Sequence, residues 1–337
     1  MSYALSFLDK SPLHAGDSGT DALRRTLALA KKAEEAGFAR FWVAEHHNAQ
    51  ALASSSPEIL ISFLLAHTSR IRIGSGGVML QHYSSYKVAE NFNLLASLAP
   101  GRVDLGIGKA PGGMPLSTQA LQGAHDPARK PSFETQLADL NSFLRHNSTR
   151  EAGPDEFGGQ LAAYPTPTTP PERFLLGASV DSARLAARLG WNFVYAGHIN
   201  GDAAAIAAAV TAYREAGGPS VLLATNIVIA ETEAEAATLG GEIRRFRIDI
   251  ENGPGVNVGS REQALEYARQ IGATQYRIEE RTPLLVRGTP ACVGAELDRL
   301  HRTFGIDEFI LECPETDGSR RLKTIELLAA ANFALAA

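Results

Sequence analysis

Phe41-Trp42-Val43-Ala44-Glu45-His46-His47 reads as a short apolar strand that ends abruptly in three ionisable side chains. Upstream of it, Asp21 opens a helix whose Leu23, Leu27, Ala30 and Ala33 line one face before Gly37 stops it, and Tyr3 to Leu8 forms a strand before that. Downstream, Pro57 occupies a first helical turn, Ile59 to His67 continues the helix, and Ile71 to Val78 gives a third strand. Short β-branched or aromatic runs therefore alternate with helical periodicity, the pattern of βα units around a parallel sheet.

The alternation continues through a helix at Ser84 to Leu98, strands at Val103 to Ile107, Phe174 to Leu176, Phe193 to Tyr195, Val221 to Ile229 and Phe309 to Glu312, and helices between them. The intervening helices run from Ser132 to Arg145, Ser182 to Leu189 and Asp202 to Ala216, and a last one starts near Arg320. Eight strands in this order define an α/β fold, a (β/α)₈ TIM barrel formed by residues 1–337 as one domain. A doubly wound sheet is the competing architecture, but it has fewer strands, and the first βα turn, Asp9 to Thr20, holds no GxGxxG. Between strands seven and eight lies a long insertion, residues 231–305, read as further helix with aperiodic loop at Gly253 to Gly259 and Arg281 to Arg287.

Composition narrows the function classes. A formal charge of −5 lacks the basic excess that a phosphate backbone requires, so no nucleic-acid partner is expected. No run is apolar enough to span a bilayer, and the amino terminus has no basic segment followed by a long apolar one, so a soluble cytoplasmic protein is expected. Cys292 and Cys313 stand in different contexts and suggest neither disulfide nor metal.

Barrel chemistry gathers just beyond the carboxyl ends of the strands. His46 and His47 stand at one such end. Adjacent residues on an extended chain point to opposite sides, which disfavours joint chelation of a metal; one of the pair is expected to be structural and the other free for acid/base work. Gly74-Ser75-Gly76-Gly77 is glycine-dense at a buried strand end, which suggests a flat ligand, an unusual backbone geometry or a plain bulge. Gly177-Ala178-Ser179-Val180-Asp181-Ser182 turns from strand to helix, offering amides and two hydroxyls either to a phosphate or to simple capping. Lys109, at another strand end, could add a positive charge or stay solvated. Tyr83, His82, Met79, Met114 and His198 are candidates to line a substrate pocket.

With FWVAEHHN at strand two, GSGGVML at strand three, KVAENFNLLASLAPGRVDLGIG through strand four, LLGAS with ARLAARLG, and GTP at 288–290, the chain resembles the bacterial luciferase-like flavin-dependent monooxygenases, specifically their single-chain members. That resemblance implies a barrel using reduced FMN and molecular oxygen, through a flavin peroxide, to oxidise a small organic substrate. It implies His46 as the catalytic histidine, Gly76 and Gly77 as a non-proline cis peptide beneath the flavin, Glu90 as a glutamate shaping the site, and Ser179 and Ser182 at the FMN phosphate. Lys109 stands where arginine is common in the family, Ala178 where the luciferase has glutamate, and Gly108 where it has a reactive cysteine. With no nicotinamide fingerprint, a separate NAD(P)H-dependent flavin reductase is the expected source of reduced FMN. Pairing of two copies through helices two and three, containing Ile59 to Leu65 and Phe92 to Leu98, is implied likewise. A deazaflavin-dependent hydride-transfer enzyme and a non-catalytic flavin-binding protein are the alternatives.

Overall fold

The computed structural model describes residues 3–123, 126, 130–146, 161–251, 253 and 255–331. Strand β1 (Ala4–Asp9) leads through α1 (Gly19–Glu35) to β2 (Arg40–Val43), then through α2 (Pro57–His67) to β3 (Arg72–Ser75) and the two-residue β4 (Val78–Met79). After α3 (Ser85–Leu98) come β5 (Val103–Gly108), α4 (Pro115–Gln122), α5 (Phe133–His146), β6 (Glu172–Gly177), α6 (Val180–Leu189), β7 (Asn192–Ala196), α7 (Ala203–Glu215) and β8 (Val221–Ile229). The insertion holds α8 (Glu233–Thr238), β9 (Arg245–Ile250), β10 (Val256–Val258), α9 (Arg261–Gln270), β11 (Tyr276–Arg281) and β12 (Leu285–Gly288). The chain then returns through α10 (Pro290–Phe304) to β13 (Glu308–Glu312) and α11 (Gly318–Ala330).

Parallel pairing runs β1-β2-β3-β5-β6-β7-β8-β13 and closes when β13 meets β1, with Ala4 opposite Glu308 and Leu8 opposite Glu312. This is the expected eight-stranded barrel with alternating helices. Its helices start from capped turns: Ser18, Ser84, Ser179, Asp202, Thr289 and Asp317 each accept a first-turn amide. Their apolar faces and the outward strand residues form one continuous core layer.

Because side chains alternate along a strand, the barrel interior is built in tiers. Leu8, Trp42, Phe174, Val194, Leu222 and Ile310 fill the middle tier, with Trp42 edge-on to Phe174 at 4.8 Å. Below them, Arg40 and Arg72 meet Asp104, Glu172 and Glu308, and Asp104 also accepts the Trp42 indole N–H at 2.9 Å. The barrel is thus plugged by apolar packing on a charged floor, which leaves its carboxyl-end mouth for function. Removing one member of such a buried ion network leaves its partners uncompensated. Asp104→Ala should therefore lower stability by about 3–5 kcal/mol, seen as a shifted urea midpoint; a shift under about 1 kcal/mol would contradict this account.

Two expectations need correction. Strand three, read as Ile71 to Val78, breaks at Gly76-Gly77 into β3 and β4. The insertion is not merely helix and loop: β10, β9 and β11 form a three-stranded antiparallel sheet, and β12 adds alongside the extended end of β8. Arg245 to Ile250 alternates charged and apolar residues, which is the strand period, and Ile248 packs with Val256, Ala264, Tyr267 and Ala268 in a small separate core. Pro254, within the stretch read as aperiodic, lies outside the described residues.

Candidate active site

The two histidines after β2 have different fates. His47 is tied down: its Nε2 lies 2.7 Å from Glu45, and its amide donates to the Gly112 carbonyl at 2.8 Å. Glu45 is fully buried and also accepts the Met79 amide at 2.9 Å and the Tyr83 hydroxyl at 2.7 Å. One carboxyl group thus joins the ends of β2 and β4 to the turn before α3. His46 is placed only by its backbone, whose N–H donates to the Ser54 carbonyl at 2.9 Å, while its ring Nδ1 is buried without a partner. Burial, reinforced by the charge of Lys10, lowers its pKa to about 3, so the ring is a neutral imidazole at neutral pH.

Beside these residues, the Gly76–Gly77 peptide is cis. Of the readings open for the glycine run, the structure therefore shows an unusual backbone geometry. The glycines are also required by close approach to neighbouring strands: a Cβ at Gly74 would fall 2.5 Å from the Asp104 Cβ, and one at Gly77 would fall 2.8 Å from the Gly106 carbonyl oxygen. The Ser75 hydroxyl secures the turn by donating to the Gly106 carbonyl at 2.9 Å and accepting the Gly106 amide at 3.0 Å. By contrast, a Cβ on Gly108 would make only ordinary van der Waals contact with the Met79 side chain.

On the other side of the mouth stands a polar group that sequence reading largely missed. Lys10 and Glu312 form an ion pair, and His198, Asn226 and Glu312 are all at least nine-tenths buried. His198 Nδ1, Asn226 Oδ1 and Glu312 Oε2 have no hydrogen-bond partner. Unpartnered buried polar atoms at one barrel mouth mark a place built for something other than protein. Asn226 was legible: it interrupts the apolar run Val221 to Ile229. Lys10 and Glu312 give no such local signal, since a charge at a strand end is ordinarily solvated.

Burial lowers the pKa of His198 to about 4. Both histidines thus have folded pKa values below the roughly 6.5 of an unfolded chain, so the unfolded state binds more protons below that pH. Their contribution is fully present above about pH 6.5 and is lost as pH falls toward 4 and 3, about 2 kcal/mol for each by pH 5. Burial alone would raise the pKa of Glu312, but the charges of Lys10, His198 and Arg245 together with the Lys10 hydrogen bond outweigh it and hold the group near 2, so its contribution is lost only below the ordinary carboxylate range. We expect Tm to fall less between pH 7 and pH 5 in His198→Asn than in the unaltered protein; equal slopes would count against the burial argument.

The remaining expected residues are only partly brought together. Ser179 caps α6 by accepting the Ser182 amide at 3.2 Å and donating to the Ser182 hydroxyl at 3.1 Å, with the exposed Asp181 in the same turn. Lys109 is instead drawn to α5, 3.8 Å from Glu134 and over the Phe133 ring. Glu90 pairs with Lys87 at 3.1 Å and bonds to Tyr86, both on its own helix. Among the pocket candidates, His82 is used by the Pro111 carbonyl and Gln122, Tyr83 by Glu45, and Met114 by the core of the insertion. Met79 packs against Gly108 and Gly112; His198 alone of the five presents an unpartnered polar atom.

The insertion is tied to the segments that follow β5 and β7. The Leu116 amide donates to Gln270 at 3.1 Å on one side, and on the other Gly201 N–H donates to Thr282 O and Leu284 N–H to Gly197 O, each at 2.8 Å.

A closed parallel barrel with polar groups gathered at its carboxyl-end mouth is the architecture of many enzymes, and comparison with known proteins gives its family. The family model for luciferase-like monooxygenases matches residues 1–307, and the chain belongs to that family. An N-acetyl-S-alkylcysteine monooxygenase of Bacillus subtilis (strain 168) is 41% identical over 336 residues, 98% of each chain. Among solved structures, apo-MsnO8 aligns with a TM-score of 0.77 at 29% identity, covering 99% of both chains. The oxygenating constituent of 3,6-diketocamphane monooxygenase from Pseudomonas putida, in complex with FMN, aligns at 0.70 with 18% identity over 97% of both. An F420-dependent secondary alcohol dehydrogenase aligns at 0.66 with 17% identity, covering 98% of this chain and 100% of that one; these two share the fold alone. Among the described residues, no helix is long and apolar enough to cross a membrane.

Proposed function

We propose that this luciferase-like monooxygenase uses FMN, reduced by a separate NAD(P)H-dependent reductase, to insert one oxygen atom into an organic thioether of the N-acyl-S-alkylcysteine class. The observation that carries the reading is the division of labour between two adjacent histidines: His47 locked by Glu45, and His46 buried, neutral and unpartnered at Nδ1. The name of the Bacillus subtilis relative supports the substrate class.

Reduced FMN would supply the electrons and the centre at which oxygen is activated. The residues present fit such a group. The cis peptide between Gly76 and Gly77 brings backbone without side chains to the end of strand three, and the hydroxyls of Ser179 and Ser182 with the first amides of α6 suit its phosphate. Lys109 could reach the same phosphate as a point charge by leaving Glu134, an exposed pair of little strength. His46, a neutral base in a mostly dry mouth, takes up or delivers a proton at Nδ1 beside the reacting centre.

Exposed Ile59 and Phe63 on α2, with Leu94 and Leu98 on α3, support a homodimer paired through these helices. A reducing cytoplasm suits the exposed free thiol of Cys292. The test supplies reduced FMN through an added reductase and N-acetyl-S-methylcysteine, reading oxygen consumption and ¹⁸O in the product. Labelled product supports the proposal; hydride transfer to a deazaflavin without oxygen uptake, or FMN binding without turnover, overturns it.

A further inference from the structure

Alternation along the strands divides the residues at the mouth into those that face the helices and those that face the barrel axis. Leu8, Leu222, Ala224 and Ile310 fill the interior, whereas Leu223 and Leu311 join the outer layer. Two residues on from Leu8, Ala224 and Ile310 stand Lys10, Asn226 and Glu312, which therefore form the next inner tier. Asp9 has the opposite parity and reaches outward, to Arg321 on α11 at 2.7 Å and to Thr26 on α1. Glu312 and Asn226 are register partners on β13 and β8, and Lys10 Nζ meets Glu312 Oε1 at 2.5 Å. His198, just past β7, is held against β8 by its N–H, which donates to the Ala224 carbonyl at 2.9 Å.

The two register partners leave open atoms of one kind. Asn226 donates from Nδ2 to the Leu284 carbonyl at 3.1 Å, which fixes Oδ1 as the atom left over, a pure acceptor. Glu312 spends Oε1 on Lys10 and keeps Oε2, also a pure acceptor, without a donor. Both side chains are buried, so each open acceptor carries a desolvation cost until a donor arrives. Charge disfavours an anion as the occupant: Lys10 is already answered by Glu312, and the buried Glu45 adds a further carboxyl group at the same end of the barrel. The group that suits this seat is an N–H or O–H donor without negative charge. In an N-acyl-S-alkylcysteine the amide N–H is such a donor, and the carboxylate is not.

We infer that Asn226 Oδ1 and Glu312 Oε2 together receive the amide N–H of the substrate while its carboxylate is turned out of the barrel, so that recognition depends on the donor and not on the acid. This inference rests on the proposed thioether substrate but not on its oxidation. A buried seat built for an N–H rejects an isostere that lacks it, because the replacing oxygen faces two acceptors and satisfies neither. A simple thioether without an acylamino group leaves the same two atoms unpaired, which makes Asn226 and Glu312 the residues that set selectivity.

The test is calorimetric binding to the full chain with FMN, without reductant or turnover. The ligands are N-acetyl-S-methylcysteine, its methyl ester, and the analogue in which an oxygen replaces the amide N–H. The acid and its methyl ester should bind within about threefold of each other, and the oxygen analogue about 100-fold more weakly than the acid. In Glu312→Gln the side-chain carbonyl still faces Lys10, since an amide N–H there would meet an ammonium, and Nε2 brings its own donor to the seat. The amide and its oxygen analogue should then bind within about threefold of each other. Glu231→Gln, at an exposed acid paired with Lys323, should leave the preference unchanged. Equal binding of amide and oxygen analogue by the unaltered protein, a preference of about tenfold or more for the acid over its methyl ester, an amide preference that survives in Glu312→Gln, or no binding of any of the three would overturn the inference. If Glu312→Gln does not fold, the two comparisons in the unaltered protein decide. Selective binding of the amide without oxygen incorporation would sink the proposed reaction and leave this seat standing; oxygenation without that selectivity would do the reverse.

Discussion

His46→Ala should lower kcat by roughly 100- to 10,000-fold, the range for a lost general acid/base, while FMN affinity changes by no more than a few-fold. The imidazole stabilises little of the fold, since its Nδ1 has no partner and its burial is unfavourable at low pH. Thermal stability of the variant should therefore be equal or higher below pH 6. Retained turnover would remove His46 from the chemistry, and weakened FMN binding would turn it into a binding residue.

Glu45→Ala should do the opposite: it should damage the fold first. Its carboxyl group accepts from His47, Tyr83 and the Met79 amide inside a fully buried pocket, so its loss leaves three donors unsatisfied. A destabilisation of about 3–5 kcal/mol is expected from uncompensated buried polar groups, measured by urea unfolding. Glu45→Gln should fall between the two, because its amide nitrogen can only donate and must face one of those donors. A loss below about 1 kcal/mol in Glu45→Ala would mean that His47 is held by other contacts.

These two outcomes also mark what the sequence could and could not reveal. The alternation of short strands and helices made the barrel legible, because one face of each helix must be buried and the strand runs are covered on both sides. The choice between His46 and His47 was not local: it depends on Glu45, Met79 and Tyr83, brought together by three different segments. Lys109 and Ser179 were visible as residue types at strand ends, but whether a long lysine turns to α5 or to α6 is a matter of packing. The insertion sheet was misread although Phe246, Ile248 and Ile250 alternate with charged residues, because β10 is only three residues long and β11 is largely exposed.

Closure of the barrel by β1 and β13 also bears on how the chain is made. Ala4 to Leu8 find their second strand partner some 300 residues later, and Asp9 waits as long for Arg321. Such distant pairing slows folding. During synthesis the first strand keeps an open edge and an uncompensated buried acid until the ribosome has released the last helix. Substitutions in α11 should accordingly reduce soluble yield out of proportion to their effect on the finished protein, and chaperone supply should matter more for this chain than its final stability would suggest.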